Sequence, residues 1–207
     1  VTVSRGLGDV YKRQDKKVSI LIFASGNGSN AENIITYFQK KAIDINWMII
    51  TNNKNAGVIK RSIKMGIPFL VFNKKDFYEN MFLKKISLIN PKLIILAGFL
   101  LKVPENLIKK FDDKIINIHP SLLPKYGGKG MYGMHVHKEV IKNKEKQSGI
   151  SIHYVNNQYD DGKIIFQKST KITYPCAAEE LAKKIHELEM KYFPKVIEKL
   201  IDSECYE

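Results

Sequence analysis

The sequence predicts an α/β domain with a mostly parallel sheet, on three observations. Short apolar runs alternate with segments of helical periodicity along most of the 207 residues, which is typical of a parallel sheet covered by helices. Polar loops containing glycine follow several of these runs, and open α/β sheets bind ligands at the carboxyl ends of their strands. With 44% hydrophobic residues, the chain is long enough for one core and too short for several.

The predicted elements begin with four strand–helix pairs. In chain order these are strand 18–24 with helix 31–41, strand 45–51 with helix 56–65, strand 69–72 with helix 76–90, and strand 93–97 with helix 104–111. A fifth strand at 115–118, two strands near 149–155 and 163–173, and a long helix at 177–200 follow. No internal repeat, linker or low-complexity tract interrupts this order.

The loop after the first strand, residues 25–30, reads Ser-Gly-Asn-Gly-Ser-Asn and opens the first helix. Its glycines allow the backbone to approach a ligand, and free N–H groups at a helix start attract an anion such as phosphate. The spacing is not G-x-G-x-x-G, and the same residues also fit a tight turn in which Ser29 or Asn30 caps the helix. Both interpretations stay open on these residues alone.

The segment 117–124, Asn-Ile-His-Pro-Ser-Leu-Leu-Pro, comes at the end of the fifth strand. A carboxamide two residues before an imidazole places Asn117 and His119 on one face of an extended chain, and the prolines then end regular structure. Such a pair can stabilise a developing oxyanion. From spacing alone a hydrogen-bonded core histidine is the more frequent case, so a catalytic interpretation needs further residues.

Further motifs supply that support. The segments SGNGSN at 25–30, LAGFL at 96–100, NIHPSLLPKY at 117–126 and SIHYV followed by YDDG at 151–162 together resemble the phosphoribosylglycinamide formyltransferases, a branch of the folate-dependent formyltransferase family. The motifs fall in the same order and span roughly residues 17 to 200. The resemblance implies a Rossmann-like formyltransferase fold and transfer of a formyl group from 10-formyltetrahydrofolate to the amine of glycinamide ribonucleotide in purine synthesis.

The resemblance assigns catalysis to Asn117, His119 and the aspartate that begins the D-x-G turn, which aligns with Asp160. Amine attack on the formyl carbon gives a negatively charged oxygen, which Asn117 and His119 are suited to stabilise. A carboxylate near an imidazole favours its protonated form, so Asp160 is expected to raise the pKa of His119. Asp161 stands where many relatives carry glycine and either shares the role or faces solvent. Asp160 is preferred because it keeps the motif's spacing from His153.

The resemblance also implies where the two substrates bind. The candidates for the ribonucleotide phosphate and ribose are Gly28, Ser29 and Asn30, with Glu189 and His186 on the last helix. The candidates for the folate are Leu100, Leu101, Lys102, Val103, Asn117, Asn156, Asn157, Gln158, Tyr159 and Asp160, most of them through backbone contacts. Lys75 stands where some relatives place an arginine toward the folate glutamate, although an exposed helix lysine is the simpler interpretation.

The segment 127–134 has four glycines in eight residues and is longer than the matching link in shorter relatives. It is either a mobile flap over the site or a wider surface loop. His135 and His137 follow, but neither a cysteine pair nor H-E-x-x-H spacing accompanies them, so no metal is predicted. His137 is expected to pack near the cleft. His153 and His186 are interpreted as structural or peripheral, with His186 left open as a lining residue of the ribonucleotide pocket.

The net charge of +13 raises the question of a nucleic-acid partner. Arginine occurs only at Arg5, Arg13 and Arg61, and the lysines are scattered rather than clustered with aromatic residues, so no such partner is predicted. No run of eighteen apolar residues exists, so no membrane span is predicted. Cys176 and Cys205 are too few for a disulfide framework. We expect a cytoplasmic protein that is a monomer or a weak homodimer.

Residues 1–14 lack a hydrophobic period and precede the first motif, so they are interpreted as a non-native leader before a single domain at 15–207. Two related enzymes are alternatives. Methionyl-tRNA formyltransferase normally carries an additional carboxyl-terminal RNA-binding domain, and formyltetrahydrofolate deformylase an amino-terminal regulatory domain. A non-catalytic RNA- or folate-binding module on the same scaffold is a third alternative. It does not explain why Asn117, His119 and Asp160 are all present.

Overall fold

The structure is a computed structural model that describes residues 18–203, with side chains to residue 202. The proposed leader at 1–14 and Cys205 lie outside this range. The strands are β1 Val18–Phe23, β2 Ile45–Thr51, β3 Phe69–Val71, β4 Leu93–Leu96, β5 Ile115–His119, β6 Gln147–Tyr154 and β7 Ile164–Lys171. The helices are α1 Ser29–Lys40, α2 Gly57–Met65, α3 Lys74–Phe77, α4 Asn80–Ile89, α5 Glu105–Lys110, α6 Met134–Lys142 and α7 Ala178–Ser203.

These strands form one sheet in the order β3-β2-β1-β4-β5-β6-β7. The first five strands run parallel to one another, whereas β6 pairs antiparallel with β5, and β7 antiparallel with β6. The predicted fold class, an α/β domain with a mostly parallel sheet flanked by helices, is therefore confirmed. None of the helices within residues 18–203 has both the length and the apolar character of a membrane span.

The central strands are buried on both faces because helices cover each side of the sheet. In β1, Ile20 and Ile22 belong to the core beneath α1, α2, α6 and α7. The alternating residues Leu21 and Phe23 belong to a second core beneath α3, α4 and α5. This two-sided burial explains why the strands are continuous apolar runs and not alternating patterns.

The predicted helix 76–90 is wrong as one element, because the chain forms α3 and α4 instead. Asn73 caps α3 by accepting a hydrogen bond from the Asp76 N–H at 2.9 Å. Phe77 and Phe82 are both buried, with ring centroids 5.1 Å apart. Five residues apart on one continuous helix, they would point to different faces, so the break allows both rings into the core. The helix α6 lies outside the predicted strand–helix pairs, but the helical spacing of His137, Val140 and Ile141 indicated it.

The strand order reverses at β1: β2 and β3 are added on one side of it, and β4 and the later strands are added on the other side. In open α/β sheets a crevice forms at such a point, outside the carboxyl ends of the strands. The loops after β1 and β4 meet there, since the Ser25 N–H donates to the Gly98 carbonyl at 3.1 Å. The segment after β5 begins at the same edge of the sheet, so three of the sequence motifs converge on one place.

Candidate active site

A cleft of about 1070 Å³ opens at this edge of the sheet. The start of α1 lines it through Asn30, the segment after β4 through Leu100, and the end of β5 through His119. The glycine-rich segment 128–134 and the helix α7 form the remaining walls, the latter through Glu189. Residues from distant parts of the sequence therefore line one open cleft.

Asn117 and His119 lie on one face of β5, as their spacing predicted. Asp160 reaches the same face from the loop between β6 and β7. Its Oδ1 is 3.4 Å from Asn117 Nδ2, and its Oδ2 is 3.4 Å from His119 Nδ1. The three residues predicted to be catalytic are thus gathered around one carboxylate.

The backbone and the loop around it fix the position of the Asp160 carboxylate. Asp160 is in the left-handed region, with φ of 54°, which costs energy for a residue other than glycine. Its Oδ2 accepts a hydrogen bond from the Gly128 N–H at 2.9 Å. Gly127 packs closely against the same residue: a Cβ added to Gly127 would lie 3.2 Å from the Asp160 Cβ and would clash with Leu123 Cδ2 at 2.5 Å, so a larger residue here would displace its neighbours. Asp161, by contrast, is exposed, and its carboxylate accepts from Asn156 Nδ2 at 3.1 Å.

His119 is held by a backbone carbonyl. Its Nε2 is 2.7 Å from the oxygen of Tyr126, and because a carbonyl only accepts, Nε2 carries the hydrogen. The side chain is buried, at 3% exposure, and burial lowers the pKa of His119 by more than Asp160 raises it. Asp160 raises this pKa as predicted, but the loss of water on burial has the larger effect, so the net shift of the His119 pKa is downward.

His153 belongs to the same cluster and is not peripheral. It is 2% exposed and pairs with Asn117 in the β5–β6 register. Its Nδ1 is 2.8 Å from the Tyr154 carbonyl and therefore donates, which leaves Nε2 of the neutral ring as an acceptor. Asn117 Nδ2 donates to that Nε2 at 3.1 Å. The orientation of the Asn117 carboxamide is consequently set by His153. In the sequence, the only sign of this contact was the alternating pattern of β6, which places Ser151 and His153 on the same face of the strand.

Asp160 stays ionised within this cluster. Burial acts to raise its pKa, but contacts with His153 and His119 and the hydrogen bond from the Gly128 N–H act in the opposite direction. The pKa of Asp160 consequently lies below its usual value. A negative charge is held beside two imidazole rings, which is the arrangement expected of groups that move or stabilise protons.

The opposite wall of the cleft carries the side chains predicted to bind the ribonucleotide. Asn30 Nδ2 donates to Glu189 Oε2 at 2.9 Å, and His186 Nδ1 lies 3.2 Å from the same oxygen. The hydrogen bond with Glu189 raises the pKa of His186. Asn30 Oδ1 and His137 Nδ1 are buried without a protein partner, and both residues line the cleft. Such unpaired atoms are few in native proteins and are suited to bind a ligand.

The start of α1 has no side-chain cap. Gly28 occupies the N-cap position with φ of 77°, and a Cβ there would overlap Val58. The alternative in which Ser29 or Asn30 caps the helix is therefore wrong, because Asn30 bonds to Glu189 instead. The first N–H groups of α1 have no intrahelical acceptor and are not capped by a side chain, so they are available to bind an anion. Arg61 Nε donates to the Asn27 carbonyl at 2.9 Å, and its guanidinium forms an ion pair with Glu32 in the first turn of α1, so its charge is compensated.

Most of the residues predicted to bind folate line a second cavity, of about 70 Å³, that adjoins the cleft. It is lined by Leu100, Leu101, Lys102, Val103, Asn117, Asn156, Gln158, Tyr159 and Asp160, among others. Leu100 is anchored because its N–H donates to Ser25 Oγ at 3.1 Å. Two predicted residues lie elsewhere: Asn157 is exposed beside Tyr78 in a separate cavity, and Lys75 is exposed on α3.

The glycine-rich segment 127–134 forms part of the cleft wall from Gly128 to Met134. His135 beyond it is exposed, whereas His137 is buried at 6% exposure and lines the cleft, as expected. Within residues 18–203, no group of three or more His, Cys, Asp or Glu side chains is placed to hold a metal ion.

Comparison with known proteins gives consistent findings. The formyl transferase family profile matches residues 18–197. Phosphoribosylglycinamide formyltransferase, chloroplastic, of Arabidopsis thaliana is 33% identical over 196 residues, which cover 91% of this chain and 67% of the relative. The chain spans 62% of the length of a second plant relative, phosphoribosylglycinamide formyltransferase, chloroplastic, of Vigna unguiculata. Phosphoribosylglycinamide formyltransferase of Bacillus subtilis (strain 168) is 36% identical over 186 residues, covering 87% of this chain and 93% of the relative.

A solved structure shares the architecture. The crystal structure of phosphoribosylglycinamide formyltransferase from Anaplasma phagocytophilum superposes with a TM-score of 0.80 at 30% sequence identity. The match covers 90% of this chain and 89% of the other. The overall backbone architecture is thus common to both chains.

Proposed function

The chain belongs to the formyl transferase family, and we propose that it is a phosphoribosylglycinamide formyltransferase. In this reaction the formyl group of 10-formyltetrahydrofolate passes to the amine of glycinamide ribonucleotide, a step of de novo purine biosynthesis. The observation that carries the proposal is the sharing of one cleft. The group around Asp160 faces the same space as the pair Asn30 and Glu189.

The ribonucleotide is assigned to the α1 and α7 side of the cleft. Its phosphate suits the uncapped start of α1 near Gly28, Ser29 and Asn30, where backbone N–H groups and the helix dipole favour an anion. Glu189 accepts its two protein hydrogen bonds at Oε2. Its Oε1 is then open to a ribose hydroxyl.

Asn117 is assigned to the oxyanion. Attack of the neutral amine on the formyl carbon forms the new C–N bond and places negative charge on the formyl oxygen. One Asn117 N–H is committed to His153, while the other is held only by the long contact to Asp160. That second N–H is free to stabilise the developing charge, which exists only after attack.

His119 and Asp160 are assigned to proton movement. The neutral His119 ring carries its hydrogen on Nε2, so Nδ1 beside Asp160 is a proton acceptor. The pair takes up the proton that the attacking amine loses. It returns a proton to the folate nitrogen as the old C–N bond breaks, which completes the transfer without a net change in protonation.

One part of the folate is assigned to the small cavity between the segment 100–103 and the loop 156–160, next to Asn117 and Asp160. Because that cavity is too small for a whole folate, the remainder is assigned to the adjoining part of the cleft. This places the formyl donor on the side of Asp160 opposite the ribonucleotide wall. Asn157 and Lys75 have weaker support, because they lie outside that cavity. No resident metal is part of the proposal.

The two enzyme alternatives have less support than the ribonucleotide transferase. The plant and bacterial relatives and the solved structure described above all carry the name phosphoribosylglycinamide formyltransferase, whereas neither the deformylase nor the tRNA enzyme is named among them. A cytoplasmic location, the absence of nucleic-acid and membrane partners, and a monomer or weak homodimer stay predictions.

A folate-product absorbance assay tests the function. The protein is incubated with 10-formyltetrahydrofolate and one of three acceptor conditions: glycinamide ribonucleotide, charged methionyl-tRNA, or no acceptor. Turnover only with the ribonucleotide is expected. Turnover without an acceptor would indicate the deformylase, turnover only with tRNA the tRNA enzyme, and binding without turnover in any condition the non-catalytic module.

A further inference from the structure

The segment of residues 121–128, which follows β5, acts on two of the proposed catalytic side chains through its backbone. The Tyr126 carbonyl accepts the Nε2 hydrogen of His119 at 2.7 Å. The Gly128 N–H donates to Asp160 Oδ2 at 2.9 Å. A shift of this segment would therefore change the orientation of the imidazole and the carboxylate together.

Ser151 holds the first part of the segment against the sheet. Its hydroxyl is buried at 0% exposure, donates to the Ser121 carbonyl at 2.7 Å and accepts from the Leu123 N–H at 2.9 Å. Gln167 Nε2 reaches the same hydroxyl at 2.8 Å and the Leu123 carbonyl at 3.0 Å. In the strand register, Ser151 pairs with His119 on one side and with Gln167 on the other.

Glu145 holds the later part of the segment. Its Oε1 accepts from Tyr126 Oη at 3.0 Å and from Lys125 Nζ at 2.9 Å. Tyr126 itself is in the left-handed region, with φ of 58°, so its backbone needs outside contacts to keep this conformation. Hydrogen bonding to Lys125 and Tyr126 lowers the pKa of Glu145, which keeps the carboxylate charged as an acceptor.

We propose that Gln167 with Ser151, and Tyr126 with Glu145, are positioning residues for formyl transfer, because they fix the segment 121–128 whose backbone orients His119 and Asp160. None of these four side chains is among those that line the main cleft. Their effect on catalysis is therefore indirect. The kinetic part of this inference rests on the proposed function, whereas the structural part does not.

The proposal has a pH signature. His119 is faced by Asp160 and His153 from the β6 side, by Glu189 of α7 and His137 of α6, and by the Tyr126 carbonyl. Of these, the carbonyl hydrogen bond favours the protonated ring, so loosening it lowers the pKa of His119 further. Losing the Gly128 N–H raises the pKa of Asp160. The two limbs of the pH profile of kcat consequently move in a loosened variant.

The test compares two variants with a matched control. Gln167→Met removes the amide and keeps the length of the side chain, and Tyr126→Phe removes only the hydroxyl. Ser169→Ala is the control, because Ser169 lies two residues beyond Gln167 on the same strand and is exposed as Gln167 is. Melting temperatures identify any variant that fails to fold.

Two readouts are taken. Nitrogen-15 NMR of the histidine rings reports whether the hydrogen of His119 stays on Nε2, and it needs no substrate. We expect a mixture of tautomers or a shifted ring pKa in both variants and no change in Ser169→Ala. In turnover we expect kcat to fall roughly tenfold with each KM within about twofold of the parent value.

Parent-like NMR signals and an unchanged pH profile of kcat in folded variants would overturn the proposal, even if their melting temperatures fall, since that pattern describes a purely structural role. A parent protein that does not turn over the ribonucleotide contradicts the proposed function instead. In that case the NMR result alone decides whether the segment orients His119. Restoration of the parent signals in Gln167→Glu, which keeps an acceptor but loses the donors, would also count against the donor role of Gln167.

Discussion

The two walls of the cleft are built in different ways. Around Asp160, the imidazoles, the Asn117 amide and the carboxylate contact one another or nearby backbone, and the side chains are mostly buried. Around Glu189, the side chain of His186 is 45% exposed, and within residues 18–203 Asn30 Oδ1 has no hydrogen-bond partner. The first wall is held in place by the protein, whereas the second leaves polar atoms unsatisfied.

This difference separates two tasks. A site that stabilises charge in a transition state gains most from groups that do not reorganise during the reaction. A site that recognises a ligand gains from polar atoms that only the correct ligand satisfies. We therefore expect substitutions at the Asp160 wall to act mainly on kcat, and substitutions at the Glu189 wall to act mainly on the KM for the ribonucleotide.

The largest effect is expected for Asp160→Asn. The amide keeps the size of the side chain but removes the charge that faces His119 and His153, so proton transfer loses its acceptor pair. We expect kcat to fall about a thousandfold, within the range of general acid–base catalysis. Steady-state kinetics with both substrates measure it. Asp161→Asn is the matched control, because Asp161 is exposed and contacts Asn156 instead; a loss as large in the control would show that the wrong aspartate has been assigned.

Asn117→Ala is expected to be next, with a loss of about a hundredfold in kcat from the missing oxyanion donor. It also leaves buried His153 Nε2 without its donor, which costs about 1–3 kcal/mol of stability. Kinetics and urea unfolding are measured on the same preparation. Asn46→Ala, at an exposed position on β2, serves as the control. A stability loss without a loss of kcat would assign Asn117 to the core alone.

Sequence patterns predicted the Asp160 wall better than its supports. Asn117 and His119 follow from a two-residue spacing on a strand, and Asp160 from a motif, because both are local features of the chain. The roles of the Tyr126 carbonyl and the Gly128 N–H left no sequence signal, since a backbone group is present at every residue. The effect of Asp160 on the pKa of His119 was predicted with the right sign, but the larger, opposite effect of burial was not predicted, because burial depends on the packed structure.

The fold shows the same division between local and tertiary information. The strand–helix alternation predicted the parallel sheet, since each buried strand is an apolar run. It did not predict the break after Phe77, which depends on where two phenylalanine rings pack. Gln167 on β7 was likewise not singled out, because its partners Ser151 and Leu123 are distant in sequence.

Glu189→Gln tests the recognition task that is assigned to the Glu189 wall. The amide removes the negative charge and turns one acceptor into a donor, so the contact with the ribose hydroxyls weakens. We expect the KM for the ribonucleotide to rise about tenfold, which corresponds to the loss of one good hydrogen bond. The KM for the folate and the plateau value of kcat stay nearly unchanged, and only the pH limb of kcat that reports His119 moves down, because the Glu189 charge raises the pKa of His119. Glu187→Gln, at an exposed position two residues earlier on α7, is the control. An equal fall in kcat would contradict the division of tasks between the walls.

The smallest effect concerns the charge on His186. The hydrogen bond with Glu189 raises its pKa above the ordinary 6.5, so the charged form that supports Glu189 is complete below pH 6.5 and is lost as the pH rises through the raised pKa. The KM for the ribonucleotide should therefore increase over that interval. Because the side chain is 45% exposed, solvent and salt screen the interaction, and we expect only about a threefold change at low salt. His186→Gln should flatten this dependence while leaving the pH profile of kcat, which reports the Asp160 wall, in place. If instead the variant moves the kcat profile, His186 acts on the chemistry at the Asp160 wall, and its assignment to ribonucleotide recognition alone is wrong.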